Sequence, residues 1–337
     1  MKAAFIRRYG GNEVLEYGEL PDPTPGPHDV LVEVHAASIN PIDWKTRAGM
    51  LRRLLPYRFP LVLGSDVAGV VRACGAAATR FQPGQRVFGR VRKQRPGSFA
   101  EQLAVHEDDL ALAPAGMPLI EAATIPLVGL TSWQVLHERG QLTAGQEVLI
   151  HAGSGGIGTC AIQLAKRLGA TVATTASARN HPLVRELGAD LAIDYRETRF
   201  EDVLGPQDLV YDTLGGETRQ RSFSVLRPGG RLITIFGLPD GPSARQLGAS
   251  LPIAWLATAL SWPHHWRARR HGAHYEHLFM RSDGRQLAEL AGFLADGSLR
   301  PIIDRTFPLA ELAAAFDYSA SGRARGKIAV CVREAAR

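Results

Sequence analysis

Glycines 153, 155 and 158 of His151-Ala152-Gly153-Ser154-Gly155-Gly156-Ile157-Gly158 are spaced as G-x-G-x-x-G, and the residue types at that spacing suit the binding of a pyrophosphate. The first glycine permits a tight turn, the second lets a phosphate approach the backbone, and the third lets a helix pack closely on a strand. Free amides and the positive end of the helix dipole then meet the negative charge. A second group stands further along, at Ala176-Ser177-Ala178-Arg179. Sites that prefer NAD carry Asp or Glu here, about 20 residues beyond the glycines, to bind the ribose 2′-hydroxyl. Without a carboxylate nothing repels a 2′-phosphate, Ser177 can donate a hydrogen bond to it and Arg179 a charge-assisted one, so NADPH is favoured over NADH. The plainer alternative makes Ser177 a helix cap and Arg179 a solvated charge, and the two roles can coexist because a cap uses one lone pair of the hydroxyl.

A glycine-rich turn alone is a weak sign, and its setting strengthens it. Val148-Leu149-Ile150 is an apolar run suited to a buried parallel strand, and Ile157, Ala161, Ile162, Leu164, Ala165 and Leu168 form a helical stripe that ends at Gly169. Thr171 to Thr175 reads as the next strand. The alternation continues through Ile193-Asp194-Tyr195, a strand at Leu209 to Tyr211, a helix from Glu217 to Leu226 and a strand from Arg231 to Phe236, which predicts a doubly wound α/β domain. Ligands bind outside the carboxyl ends of such strands, so the backbone of Phe236-Gly237-Leu238 is expected to line the nicotinamide pocket. Up to about Pro118 the texture differs: Val30 to Val34, Leu61 to Leu63, Gly69 to Val71 and Pro83 to Phe88 are short β-rich runs separated by turns. Leu238 to Met280 fits either a flap near the cofactor or a poorly patterned pair of helices. Gln286 to Leu294 and Leu309 to Tyr318 read as helices, and Arg300 to Ile303 and Gly326 to Val330 as β segments.

A chain of 337 residues with 45% hydrophobic content can bury a large core in two domains. The stretch from Leu251 to Trp262 is too short to span a bilayer and contains Pro252, and the first residues lack the apolar core of a signal peptide, so a cytoplasmic location without a membrane partner is expected. Cys74, Cys160 and Cys331 are odd in number and far apart, which excludes a disulfide framework and a four-thiolate zinc lobe. The net charge of +6 has its densest patch at His264-His265-Trp266-Arg267-Ala268-Arg269-Arg270-His271. No nucleic-acid reading module accompanies it, so it reads as a solvated face, although its charge would also suit acidic lipid.

Several segments resemble the zinc-independent quinone oxidoreductase branch of the medium-chain dehydrogenase/reductase superfamily: Ala36 to Gly49, Gly64-Ser65-Asp66-Val67-Ala68-Gly69, Ala152 to Lys166 and Arg325-Gly326-Lys327. The resemblance covers nearly all of the chain. It implies a Rossmann NADPH-binding domain at 123–299 and a β-rich, GroES-like catalytic domain made from 1–122 and 300–337, the chain crossing out and returning. It also implies a homodimer. Where zinc alcohol dehydrogenases carry metal ligands, this sequence has Asn40 for cysteine, Ser65-Asp66 for a His-Glu pair, and Val128 or a neighbour for the second cysteine. Valine cannot ligate zinc, so no catalytic metal is expected, and 89–106 lacks the cysteines of a structural zinc lobe.

Reduction without a metal suits conjugated acceptors, and the resemblance implies quinones or α,β-unsaturated carbonyl compounds. Negative charge left on the acceptor oxygen then needs protein donors. Lys45 stands where many relatives carry tyrosine and enone-reducing ones lysine; its ammonium can stabilise an enolate and deliver a proton, against the alternative of an exposed loop lysine. Asn40 can offer its amide to cofactor or substrate, and Asp43 either orients Lys45 or caps a turn. By the same resemblance Thr131 faces the nicotinamide, Tyr195 joins Ser177 and Arg179 at the 2′-phosphate unless it is an ordinary strand-end tyrosine, and Lys327 either reaches the cofactor or supports the last strand. Rival readings are a non-enzymatic NADPH-binding or redox-sensing protein and a zinc-dependent alcohol dehydrogenase.

Overall fold

The computed structural model describes residues 1–52, 55–237 and 239–333. Contacts divide the chain into two units, Met1–Leu130 with Arg281–Arg337, and Thr131–Met280.

Six parallel strands make the sheet of the second unit, in the order Leu191–Asp194, Thr171–Ala176, Glu147–Ile150, Gln207–Asp212, Leu226–Thr234, His274–His277. This is the doubly wound order 3-2-1-4-5-6, and the direction of winding reverses beside Glu147–Ile150. Val148, Leu149 and Ile150 are fully buried, as a strand covered on both faces requires. Leu149, Val210, Leu232 and Phe223 meet in the core below the carboxyl ends. The stretch expected as one helix from Glu217 to Leu226 is shorter: the α-helix is Gly216–Ser222, a 3-10 turn follows at Phe223–Val225, and Leu226 already belongs to the next strand. Of the two readings of 238–280, the helical one describes the molecule, with helices Gly241–Gln246 and Leu251–Arg270 before the edge strand His274–His277; Leu238 itself lies outside the described residues.

The first unit is β-rich, as expected. One sheet runs Ile303–Pro308, Lys327–Cys331, Asp29–Ile39, Asp66–Cys74, Arg86–Arg90, Leu110–Leu112, with Gln102–His106 also paired to Asp29–Ile39. A smaller sheet joins Leu15–Glu19, Lys2–Ile6 and Leu61–Val62. The returning strand Lys327–Cys331 pairs antiparallel with the end of Asp29–Ile39, Ile328 opposite Ile39, which brings residue 327 beside Asn40. The sequence boundary at 299/300 assigns the helix Gly284–Ala295 to the nucleotide domain, whereas the structure groups it with the β-rich unit. The reason is a close approach: a Cβ on Gly284 would run into the Leu110 and Asp108 carbonyls.

Candidate active site

The glycine turn lies at the carboxyl end of Glu147–Ile150 and opens the helix Gly156–Arg167. Ala152 takes a φ of 54°, a left-handed conformation that disfavours a side chain. Thr175 on the neighbouring strand pins it there: its hydroxyl oxygen accepts from the Ala152 amide at 3.1 Å and its carbonyl from the Gly153 amide at 3.0 Å. Two of the glycines serve different ends. A Cβ at Gly158 would run into the Ala152 carbonyl and come within 2.5 Å of the Gly153 Cα, so the helix needs glycine to sit on the turn. A Cβ at Gly155 would meet only the Ala152 carbonyl, at 3.3 Å, so the space over that residue is not filled by the chain. Gly155 is the N-cap of the helix and supplies no side-chain cap, leaving first-turn amides for an anion. The cradle, formed by Gly153, Ser154, Gly155, Gly156, Ile157 and Gly158, has the space and the uncapped helix start that a dinucleotide pyrophosphate would require.

Beneath the turn, His151 is fully buried between two hydroxyls, Nδ1 at 3.2 Å from Thr175 Oγ1 and Nε2 at 2.9 Å from Ser222 Oγ. Ser222 gives its own hydrogen to the Thr218 carbonyl, so the Nε2–H donates to Ser222 and the Thr175 hydroxyl to Nδ1. Burial pushes the imidazole down to about 4, against the opposing pull of Asp212, so it is neutral at pH 7. Asp212, at the end of the next strand, accepts from the Leu214 and Gly215 amides and from Thr234 Oγ1, tying two strand ends together.

At the end of Thr171–Ala176, Ser177 is buried and is the N-cap of the 3-10 turn Ala178–Asn180 without making the capping hydrogen bond. Asn180 Nδ2 donates instead to Ser177 Oγ at 3.2 Å and to Ser154 Oγ at 2.9 Å, so this side chain joins the second strand's end to the glycine turn. Arg179, Tyr195 and Arg196 are exposed, and the Arg196 guanidinium lies 5.7 Å from the Tyr195 ring centre. Asp194, nearby, is occupied by the Ala178 and Arg196 amides, which hold its carboxyl below the usual range. Sequence reasoning did not single out Asn180, Arg196, His151 or Asp212. Asn180 had a local signal, a second polar residue one turn after Ser177; Asp212 had none beyond its place after an apolar strand.

The β-rich unit holds a cluster of buried charges. Asp66 accepts from Ser38 Oγ at 2.7 Å, Asn40 Nδ2 at 2.8 Å and the Leu127 amide at 2.8 Å, and lies 3.4 Å from Lys327 Nζ. Lys327 Nζ also donates to Asn40 Oδ1 at 2.5 Å and to the Ile39 carbonyl at 3.0 Å. Three acceptors within the unit therefore meet the ammonium. Arg90, opposite Asp66 in the sheet register, is also buried, and its guanidinium is lowered by that burial.

Asn40 ends a strand and starts the helix Pro41–Arg47. Its amide N–H donates to Asp43 Oδ2 at 2.8 Å, while Ser65 Oγ donates to Asp43 Oδ1 at 2.8 Å. Of the two roles expected for Asp43, the cap is the one seen. Burial raises Asp43 to about 7 despite these two hydrogen bonds, with Asp66 adding to the rise. Lys45 is half-buried in the helix's last turn, its Nζ 5.5 Å from the Trp44 ring centre, and burial lowers its ammonium from the ordinary value.

The structure thus brings Asn40, Asp43 and Lys327 into one cluster and the glycines, Ser154 and Ser177 into another. Thr131 is buried in the helix Pro126–Trp133, and Phe236 follows the strand Leu226–Thr234, its carbonyl accepting from Arg219 at 3.2 Å, with Gly237 next at a φ of 98°. Among the described residues no group of three or more His, Cys, Asp or Glu side chains is placed to hold a metal ion.

Two family models match the chain, "Alcohol dehydrogenase GroES-like domain" at residues 26–115 and "Zinc-binding dehydrogenase" at 187–330. The chain is similar to NAD(P)H oxidoreductase RTN4IP1, mitochondrial, of Danio rerio, at 34% identity over 99% of this chain and 92% of the relative. It is 33% identical to the NADPH-dependent alkenal/one oxidoreductase, chloroplastic, of Arabidopsis thaliana, over 98% of this chain and 79% of the relative. Its structure is similar to that of the quinone oxidoreductase from Coxiella burnetii, with a TM-score of 0.85, 31% identity and 99% of both chains covered.

Proposed function

The chain belongs to the medium-chain dehydrogenase/reductase superfamily, among its quinone oxidoreductase-like members, and from that premise we propose that it is an NADPH-dependent oxidoreductase reducing quinones or α,β-unsaturated carbonyl compounds. The observation that carries the reading is the unfilled cradle over Gly155 at the winding reversal of the parallel sheet, followed on the next strand by Ser177 and Arg179 where a carboxylate would favour NADH. When bound, the dinucleotide supplies the hydride. Gly153 to Gly158 hold its pyrophosphate; Ser177, Arg179 and Tyr195 hold the 2′-phosphate; Thr131, Phe236 and Gly237 serve the nicotinamide end.

Lys45 carries the polar half of the reaction. Its lowered pKa makes the ammonium a better acid than a solvated lysine, suited to stabilising negative charge on the acceptor oxygen and to delivering a proton. Asn40 and Asp43 act through the backbone, fixing the first turn of the helix that carries it. Lys45→Ala is expected to lower kcat by about a hundred-fold while leaving NADPH affinity within about two-fold, the signature of an interaction made at the transition state. Unchanged turnover would remove Lys45 from the mechanism.

NADPH and NADH oxidation against quinones, enones, alkenals and alcohols, run side by side, tests the activity. Turnover of quinones or enones with NADPH supports it; NADPH binding without turnover of any acceptor would leave a cofactor-binding protein. A cytoplasmic homodimer completes the proposal, the dimer being testable by sedimentation equilibrium.

A further inference from the structure

The helix Leu251–Arg270 carries its apolar residues on the wrong side for a helix that only packs on its own unit. The residues it buries are small: Ala254, Ser261 and Ala268, each seven apart and so on one side of the helix. Its large residues point out, with Trp255 76%, Trp262 53% and Trp266 49% exposed and Leu251 exposed next to them, while Leu256 and Leu260 are exposed on another side. At about 100° per residue the three tryptophans fall within about 40° of one another, which makes them a stripe along the helix. A helix facing only water shows the reverse arrangement, and contiguous exposed apolar surface of this kind marks a contact with something else.

Charge says what that partner is. The helix contains no Asp or Glu and ends in Arg267, Arg269 and Arg270. The Arg269 guanidinium lies 5.6 Å from the Trp262 ring centre and that of Arg270 4.7 Å from the Trp266 ring centre, so cations flank the indole stripe. Indoles beside guanidinium groups match the headgroup layer of a bilayer, where aromatic rings sit at the interface and arginines meet lipid phosphates. A second copy of the chain fits less well. Whether two such helices ran parallel or antiparallel across a two-fold axis, neither would offer the other a carboxylate for its arginines.

We propose that this face docks on the surface of a membrane containing anionic phospholipid, with Trp255, Trp262 and Trp266 at headgroup depth and Arg269 and Arg270 against lipid phosphates. The helix lies on the bilayer and does not cross it; among the described residues no helix is long and apolar enough to do so. The inference stands apart from the identity of the acceptor.

The test is co-sedimentation of the full chain with vesicles of phosphatidylcholine, alone or mixed with phosphatidylglycerol. Wild type is expected to bind the mixed vesicles and to release as salt screens the charges. The triple variant Trp255→Ser/Trp262→Ser/Trp266→Ser and the double variant Arg269→Glu/Arg270→Glu should each bind them at least about ten-fold more weakly. Thermal melting and NADPH affinity, unchanged, would show that the variants fold. Independently of any variant, brominated lipid in the mixed vesicles should quench wild-type tryptophan fluorescence. Absence of quenching, variants that bind like wild type, or a dimer that the tryptophan substitutions dissociate would each overturn the proposal, the last by assigning the face to a second copy.

Discussion

At the Gly155 turn the chain leaves polar groups open: the helix that begins there has no side-chain cap, and the space over the glycine is unfilled. Around Asp66 it closes them, since each oxygen of the carboxylate has a donor from the same unit and Lys327 supplies the counter-charge. Both regions use rigid strand ends. The difference separates a turn whose helix start has no side-chain cap from a carboxylate whose lone pairs the chain itself engages. Asp66 stands at the position compared with a zinc-ligand pair, yet its lone pairs are engaged by the chain's own donors.

The comparison is broken most severely at Asp66. Asp66→Ala removes a carboxylate beside the buried Lys327 ammonium and the acceptor shared by Ser38, Asn40 and Leu127, for an expected loss of about 3–5 kcal/mol in urea denaturation. A loss below about 1 kcal/mol would mean that the cluster does not hold the unit together. Two glycines sharpen the contrast within the turn. Gly158→Ala should cost about 1–3 kcal/mol of stability through overpacking. Gly155→Val should cost about 1 kcal/mol, since its Cβ would sit 3.3 Å from the Ala152 carbonyl at a helix N-cap, and should weaken NADPH binding by about ten- to hundred-fold, the equivalent of one lost charge-assisted hydrogen bond. If Gly155→Val unfolds the protein and Gly158→Ala does not, the assignment of the two glycines is reversed.

Asp43 gives a pH-dependent test. Its pKa is raised on folding, so the folded state binds more protons than the unfolded state between the carboxylate's ordinary value and about 7. The stability that goes with the proton is complete below the unfolded pKa and is lost as pH rises through the folded one. Asn resembles the protonated acid, so Asp43→Asn should gain about 1–3 kcal/mol on wild type between roughly pH 4 and pH 8, measured as the difference in urea midpoints. Parallel pH profiles would contradict the shift. The smallest effect is at Arg179: Arg179→Ala should weaken NADPH about ten-fold in a titration and leave NADH unchanged. Equal losses for both would show that the side chain does not read the 2′-phosphate.

Much of the nucleotide unit was legible because its signals are local. Apolar strands, the helical stripe after Gly158 and the glycine spacing each reflect rules that act within a dozen residues. Asn180 was missed because its work is a bridge to Ser154, across 26 positions. The Asp66 cluster was still less legible, since it depends on the returning strand placing Lys327 beside Asn40, a partner 287 positions away. Helix 251–270 resisted reading for another reason: its large residues face out and its small ones in, so the usual apolar stripe is absent. The capping role of Asp43 was legible as one of two readings, because an acidic residue three positions after Asn40 is a local signal.

The central claim is that the dinucleotide cradle is open for a ligand while the metal-like position is filled by the chain's own groups. Its most direct test is the rate of NADPH oxidation with a quinone or enone before and after exhaustive chelation, with zinc then added back. The account predicts the same rate at all three points; activity that disappears with the chelator and returns with zinc would contradict it.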